Sequence, residues 1–285
     1  MHRYLIMVLV LAYNSFSFSQ EINPQISFDY TLMPATSENI SAQLFDGSLA
    51  IPLEFDAFSI KPVVGLRNYD FEYLEGMSFN TEPVERIHNI YSGVEINYSL
   101  DESWELGGGV EVSNASNLDA DQYVITGNAH LNYNFKTAFP VAVEVGALYD
   151  SPLGKLQFLP TVALTTTYRK YQIQLGFPKS SLQYKLSENS MLEAAYAFEG
   201  DYFHLADELT FNSVELAREV GLSQQKLSLG YTYNLDSNWS FSLSGGYLLK
   251  NELSFYTGND DTIYDLDLDT GPVFSTGIKF NFFNK

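Results

Sequence analysis

The sequence predicts an all-β fold, a transmembrane antiparallel up-and-down β-barrel of about 12 to 14 strands. Three observations favour it. Apolar and polar residues alternate with period two, one hairpin pattern recurs along the chain, and short turns alternate with longer acidic loops. Period two places successive side chains on opposite faces of a strand, and unequal connections are typical of barrels inserted from one side of a membrane.

The clearest hairpin spans residues 229–249, where two alternating strands flank a polar turn at 236–238. Short polar side chains favour a turn because they hydrogen-bond the local backbone. The same layout recurs at 98–112 and 184–198: Tyr, any residue, Leu, a short polar turn and a second alternating strand. Aromatic residues flank these turns, as expected at a membrane–water boundary. The turns are therefore predicted to lie on one side of a single barrel.

Fourteen segments carry this alternation, and most have the length of about 10 residues that a tilted membrane-crossing strand needs. The ninth and tenth are short and interrupted at 176–178, so 12 strands is the alternative. The predicted strands are residues 25–33, 40–52, 57–69, 88–99, 103–114, 121–135, 140–150, 156–168, 170–176, 180–186, 190–203, 222–235, 238–250 and 271–283.

The connections fall into two classes. Long acidic loops are predicted near 70–87, 115–120, 204–221 and 251–270. Within 204–221, Ser213 as N-cap, an early Glu215 and a closing Gly221 predict a short helix. Short turns are predicted near 100–102, 136–139, 168–170, 187–189 and 236–238.

Composition excludes several classes of function. The chain has 285 residues, no Cys and a formal net charge of −20. The lack of Cys excludes disulfides, thiol chemistry and a lipid-modified N-terminal Cys. The negative charge argues against nucleic acid as a partner, because phosphate binding needs clustered Lys and Arg. No run of 18 apolar residues predicts a transmembrane helix.

Residues 1–19 are predicted to be a secretory signal peptide, which leaves 20–285 as one barrel domain. Arg3 precedes an apolar run at 4–12 that is too short to span a bilayer as a helix. Cleavage is expected near Ser19 or Gln20, and a membrane anchor is the alternative interpretation.

The last predicted strand ends in aromatic residues, Phe280, Phe282 and Phe283, followed by Asn284 and Lys285. This ending resembles the C-terminal signal read by the outer-membrane barrel assembly machinery, with two residues added. Together with the signal peptide, hairpins and loop asymmetry, it makes the mature chain resemble single-domain outer-membrane β-barrel proteins of Gram-negative bacteria, in particular those of unknown function. The resemblance implies the outer membrane as location, and outer-membrane lipid and the assembly machinery as partners. It brings no catalytic motif.

Alternation also predicts which polar side chains face the lumen, and both signs of charge are present. They belong either to a polar channel that selects ions or solutes, or to cross-lumen ion pairs that fill a narrow barrel. The predicted lumen residues are Asp29, Lys61, Arg67, Glu95, Glu105, Glu111, His130, Glu144, Lys185, Glu193, Glu199, Lys226, Lys250 and Lys279.

The sequence predicts no enzyme and no cofactor. No serine nucleophile motif or His/Asp constellation accompanies His130, so a hydrogen-bonded lumen histidine is favoured over a catalytic one. Asp265, Asp267 and Asp269 are the best metal candidates, because oxygen ligands in a loop suit Ca²⁺. Their spacing departs from the helix–loop–helix calcium pattern, and the alternative is a row of solvated carboxylates on one strand face.

These observations predict passive passage of small solutes through the barrel. The alternative is a plugged structural or surface-interaction barrel, which would bind a partner through the acidic loops at 204–221 and 251–270.

Overall fold

The computed structural model describes residues 24–36, 40–73, 77, 79–116, 122–137, 139–211, 215–259, 261–268 and 270–282. The predicted signal peptide lies outside this range. In the described part of the chain, no helix is long and apolar enough to cross a membrane. The strands form a closed, antiparallel up-and-down barrel with 14 strands in its wall.

In chain order the elements are β1 (Gln25–Met33), β2 (Ile40–Ala50), β3 (Leu53–Glu54), β4 (Phe58–Tyr73), α1 (Glu82–Glu85), β5 (Arg86–Ser99), β6 (Trp104–Ser116), β7 (Val124–Phe135), β8 (Val141–Asp150), β9 (Gln157–Tyr168), β10 (Tyr171–Phe177), β11 (Lys179–Lys185), β12 (Ser190–Phe211), β13 (Glu215–Asn234), β14 (Trp239–Tyr256), β15 (Thr262–Asp267) and β16 (Gly271–Asn281). The short β3 pairs with β4, and β15 pairs with β14. The other fourteen strands form the wall, which β1 closes by pairing with β16.

The exterior of the wall is apolar. On β13 and β14, Leu229, Tyr231, Phe241 and Leu243 are exposed on the outside, while serine, threonine and glycine take the alternate positions. Exposed large apolar side chains continue around the wall, including Ile90, Val112, Ile125, Val162, Leu175 and Phe274. An apolar outer band over a polar interior is the arrangement of a barrel that spans a bilayer and contacts lipid.

The two tryptophan hairpins share one turn design. Asp101 Oδ1 accepts the backbone N–H groups of Ser103 (2.6 Å) and Trp104 (2.9 Å). Asp236 does the same for the second and third residues after it, at 2.7 and 2.8 Å. These bonds, chiefly the one from Ser103, lower the pKa of Asp101, because they stabilise the carboxylate form.

Asp101→Ala is therefore expected to lower the thermal midpoint of the barrel in detergent at neutral pH. A lowered pKa in the folded state means that the stabilisation is present above the unfolded-state pKa and is lost as the pH falls through the folded-state pKa. The difference in midpoint should disappear in acid. Glu102→Ala, in the same turn, removes only an exposed ion pair with Lys136 and should leave the midpoint unchanged. Equal effects of the two substitutions would contradict the role of the Asp101 carboxylate in stabilising the turn.

The predicted strands are observed, but the predicted loops at 204–221 and 251–270 are wrong over much of their length. β12 continues to Phe211, β13 begins at Glu215 and β14 continues to Tyr256. The helix predicted to end at Gly221 is also wrong, because 215–221 is strand; Ser213 lies outside the described residues. A helix would place Val220 and the apolar residues near it on different faces, whereas the strand buries them in a hydrophobic core.

These extensions form three paired strands that cross the lumen near the long-loop end, and β15 pairs with the β14 segment as a fourth strand. We call the three extensions the inner sheet: residues 200–211 of β12, 215–224 of β13 and 251–256 of β14. His204 of β12 forms a bridge with Ser116 of β6, although β7–β11 separate these strands along the wall. The inner sheet therefore reaches the opposite side of the barrel.

One face of the inner sheet packs against the inside of the barrel near the long-loop end. The Phe203 and Tyr69 rings lie 5.5 Å apart, and the Phe255 and Phe79 rings 5.4 Å apart. The core contains Met33, Ala42, Phe71, Val84, Ile87, Ala115, Val124, Val220, Leu222, Leu248, Leu253, Leu266 and Val273 among others. Burial of these side chains holds the sheet inside the barrel.

The segment between β8 and β9 also packs against the inner sheet. Tyr256 Oη donates to the carbonyl oxygen of Gly154 (2.9 Å), and the Lys155 ammonium lies 5.6 Å from the Tyr256 ring centre. Gly154 has a φ of 84°, which favours glycine, and a Cβ at Gly221 would lie 1.6 Å from the Gly154 oxygen. Tyr202 and Phe203, on successive positions, are both buried. Contacts on both faces thus explain why burial ceases to alternate here.

Candidate functional site

A charged cluster joins the inner sheet to the wall across the lumen. Arg67 on β4 lies with Nε 3.0 Å from Asp46 Oδ2 on β2, and with Nη1 2.7 Å from Asp201 Oδ1 on β12. Tyr69 donates a hydrogen bond to the same Asp201 carboxylate. The Arg67 side chain is 24% exposed and that of Asp201 is 15% exposed. Shielding of this kind strengthens the attraction between paired charges and makes loss of one partner costly.

Tyr91 on β5 contacts the cluster from the side of the short turns. Its hydroxyl donates to Asp46 Oδ1 (3.2 Å), and the Arg67 guanidinium lies 5.1 Å from its ring centre. Gly65, opposite Tyr91 on β4, makes room for this ring, since a Cβ there would lie 2.3 Å from a Tyr91 ring carbon. Arg67 is therefore held by two carboxylates and one aromatic face.

A polar chamber of about 220 Å³ lies between β12 and the wall strands β4–β8. Lys61 Nζ lies 2.6 Å from Glu95 Oε2, and this pair lines the chamber. The other polar residues that line it are Arg67, Asn89, Glu111, Ser113, Thr126, Asn128, Asp150, Ser151, Asp201 and Tyr202.

A second cavity of about 200 Å³ lies beside β7–β11 and includes His130, Glu144, Gln174 and Lys179 in its lining. Lys179 Nζ is 2.7 Å from Glu193 Oε1, and Gln183 Nε2 donates to the other oxygen of that carboxylate at 2.8 Å. Neighbouring lumen charges are thus partly neutralised within the wall.

The structure distributes the lumen residues predicted from the sequence over four places. Glu95 and Glu111 line the first chamber, and His130 and Glu144 line the second cavity. Lys226 Nζ pairs with Glu199 Oε2 at 2.5 Å between β13 and β12. Glu105, opposite Ser99, and Lys185, opposite Met191, lie near the short turns and line neither cavity.

The acidic segment predicted as a calcium candidate is partly strand. Asp265 and Asp267 lie on β15, and Ser254 Oγ of β14 donates to Asp265 Oδ1 (2.6 Å). Asp269 lies outside the described residues. Over the described ranges, no three His, Asp or Glu side chains gather as metal ligands.

Sequence reasoning did not anticipate the roles of Asp46, Tyr69, Asn89, Asp150 and Asp201. One signal was available on β12 and β13. Toward the long-loop end, the inward positions of β12 change from polar to apolar in the order Glu199, Asp201, Phe203 and Leu205. Those of β13 change in the same way, in the order Lys226, Gln224, Leu222 and Val220. A switch from polar to apolar on the inward face marks the point where a strand leaves a water-filled lumen for a packed core.

These features define a transmembrane β-barrel of the outer-membrane type. No protein-family model and no curated protein sequence matches the chain. Solved structures with a similar fold include the KdgM porin, which is 8% identical with a TM-score of 0.41 over 91% of this chain and 99% of that chain. An outer membrane channel from Pseudomonas putida F1 is 8% identical, with a TM-score of 0.45 over 92% and 95% of the two chains. The Pseudomonas putida toluene transporter TodX is 8% identical, with a TM-score of 0.41 over 95% and 91%. These similarities concern the barrel fold alone.

Proposed function

We propose that this protein resides in the outer membrane of a Gram-negative bacterium and passes small polar solutes passively through its lumen. The observation that carries the proposal is the polar chamber enclosed by an apolar-faced, closed barrel. Residues 1–19 would direct export, 20–285 would form the barrel, and the assembly machinery would insert it. A transport role needs a route that water and solute can share. The first chamber lies between residues 200–202 of the inner sheet and the wall, and the second cavity lies along β7–β11.

The proposed role is not enzymatic. His130 lies in the second cavity with Glu144, Gln174, Thr161 and Lys179. A histidine needs an oriented nucleophile within hydrogen-bond reach to act as a general base. Polar contact with a passing solute is the simpler use of this group of side chains.

The packed core of the inner sheet favours a second candidate, a plugged barrel that binds a surface partner. Phe203, Leu253 and Phe255 are fully buried, so the sheet occupies part of the cross-section near the long-loop end. A plugged barrel would be folded and nonconducting, which separates the two candidates in one measurement.

Single-channel recording of the purified protein in a planar bilayer is the test. The expected result is stable conductance steps with a preference for cations. Glu144→Lys should lower the cation-to-anion permeability ratio more than tenfold, because reversing a unit charge about 4 Å from an ion in water changes the energy of a cation and of an anion by about 2 kcal/mol each, in opposite directions. Glu188→Lys makes the same charge change in the exposed turn between β11 and β12 and should leave the ratio unchanged. A folded protein without conductance would contradict the transport proposal and favour the plugged barrel.

A further inference from the structure

The charges that line the first chamber do not balance. Glu95, Glu111, Asp150 and Asp201 are acidic, and only Lys61 and Arg67 are basic. Lys61 pairs with Glu95, and Arg67 pairs with Asp201 and with Asp46 on β2. Across the described residues, Glu111 and Asp150 have no basic partner within ion-pair distance. The chamber therefore carries two carboxylates whose charge no cation of the described wall neutralises directly.

Asn89 gives an independent indication of a missing donor. It lines the same chamber and is only 4% exposed, yet its side-chain oxygen has no hydrogen-bond partner within the described part of the chain. Leaving a buried carbonyl oxygen without a donor is costly, and most such atoms in folded proteins are paired. The neighbouring Arg67 guanidinium is directed to Asp46 and Asp201 instead.

Strand register places the two carboxylates at a similar height in the wall. Glu111 on β6 lies opposite Thr126 on β7. On β8, Tyr149 lies opposite Gly127 of β7. The next position therefore brings Asp150 level with Thr126. The backbones of Glu111 and Asp150 are thus about 10 Å apart, twice the spacing of neighbouring strands. Asp150 accepts the backbone N–H of Ser151 (2.7 Å), and Glu111 accepts no hydrogen bond from the residues described.

We propose that this chamber binds a small organic cation that carries an ammonium group, and that such cations are the preferred solutes of the barrel. The inference rests on the proposed transport function and deepens it. An ammonium group supplies the charge that the lining lacks and the donors that the Glu111 carboxylate lacks. Asn89 lies four positions along β5 from Gly93, the residue opposite Glu111, so the second amino group of a diamine supplies the donor that the Asn89 amide oxygen lacks. An anion would meet an acidic lining whose two basic side chains are already paired. A bare metal ion would find no group of three ligating side chains in the described chain.

The test is calorimetric titration of the folded, full-length protein in detergent with putrescine, a short aliphatic diamine. The expected result is saturable binding that weakens as salt is raised. Glu111→Gln should weaken it about tenfold, because a charge-assisted hydrogen bond to the ammonium is lost. Glu105→Gln is the matched control, since Glu105 lies on the same strand and outside the chamber lining, and it should bind as the unchanged protein does.

Glu111→Gln removes one of several like charges and keeps the side-chain shape, so the variant is expected to fold; heat-modifiable migration checks this. Asn89→Ala offers a second variant with the same expected direction. The inference is overturned if putrescine does not bind, if glutamate binds more tightly than putrescine, or if Glu111→Gln and Glu105→Gln bind putrescine equally. Conductance without putrescine binding would contradict the proposed cation site and leave the transport proposal in place. Putrescine binding without conductance would contradict the transport proposal and leave the cation site in place.

Discussion

Arg67→Met is expected to lower the free energy of unfolding by about 3 kcal/mol, the lower end of the range for breaking a shielded ion pair. The substitution leaves the carboxylates of Asp46 and Asp201 facing each other across the lumen without the guanidinium that now lies within 3.0 Å of both. Repulsion between them should also loosen the inner sheet, because Asp201 belongs to it. Denaturant unfolding in detergent measures the first effect. Faster proteolysis of the inner sheet in the folded barrel measures the second.

Lys61→Met is the matched control for Arg67→Met. Lys61 lies on the same strand and also pairs across the wall, but its side chain is 39% exposed and that of its partner Glu95 is 54% exposed. Solvated pairs contribute little, so the expected loss is below about 1 kcal/mol. Equal losses for the two variants would show that Arg67 does not hold the inner sheet.

Gly221→Ala is expected to destabilise the protein by about 2 kcal/mol and to separate the 151–156 segment from the inner sheet. The added Cβ would lie 1.6 Å from the carbonyl oxygen of Gly154. Neither atom can rotate away, because the Cβ is fixed to the Cα of residue 221 and the oxygen belongs to the backbone. Relief requires one segment to move, which would strain or break the hydrogen bond from Tyr256 to Gly154. Denaturant unfolding gives the free energy, and hydrogen exchange of residues 151–156 shows where the structure has opened.

Gly230→Ala tests whether this effect is specific to the contact. Gly230 lies on the same strand, nine residues nearer the short-turn end, and a Cβ there would meet its nearest neighbour, Ser244 Cβ, at 3.5 Å. That is ordinary van der Waals contact, so Ala should be tolerated. If Gly221→Ala were as stable as Gly230→Ala, the packing of the 151–156 segment on β13 would be incorrect.

The wall could be predicted because its rules are local. Strand β8, expected at 140–150, is observed at Val141–Asp150, and β1 matches its predicted span. Alternation needs only neighbouring residues to be read, and a lipid-facing exterior keeps it regular. The interrupted ninth and tenth strands are both present in the wall, which gives 14 strands rather than 12.

The inner sheet escaped prediction because its environment is tertiary. Residues 251–256 were predicted as part of an acidic loop, because nothing local in the sequence shows that Leu253 and Phe255 pack in a core inside the lumen. The partners of Arg67 were equally inaccessible: Asp201 lies 134 residues away, and no spacing rule joins two inward residues on opposite sides of a barrel. Alternation could place Glu95 and Glu111 toward the lumen, but not the chamber that they line.

The inner sheet also implies an order of assembly. Its contacts with Tyr69, Ile87 and Val124 join segments far apart in the sequence, and such contacts form late because their loop-closure entropy must first be overcome. They also require β4–β7 to have curved toward the far side of the wall. Docking of the inner sheet is therefore expected to complete folding after the wall is largely in place. A newly inserted barrel would pass through a stage with a wider lumen and apolar side chains exposed to water inside it.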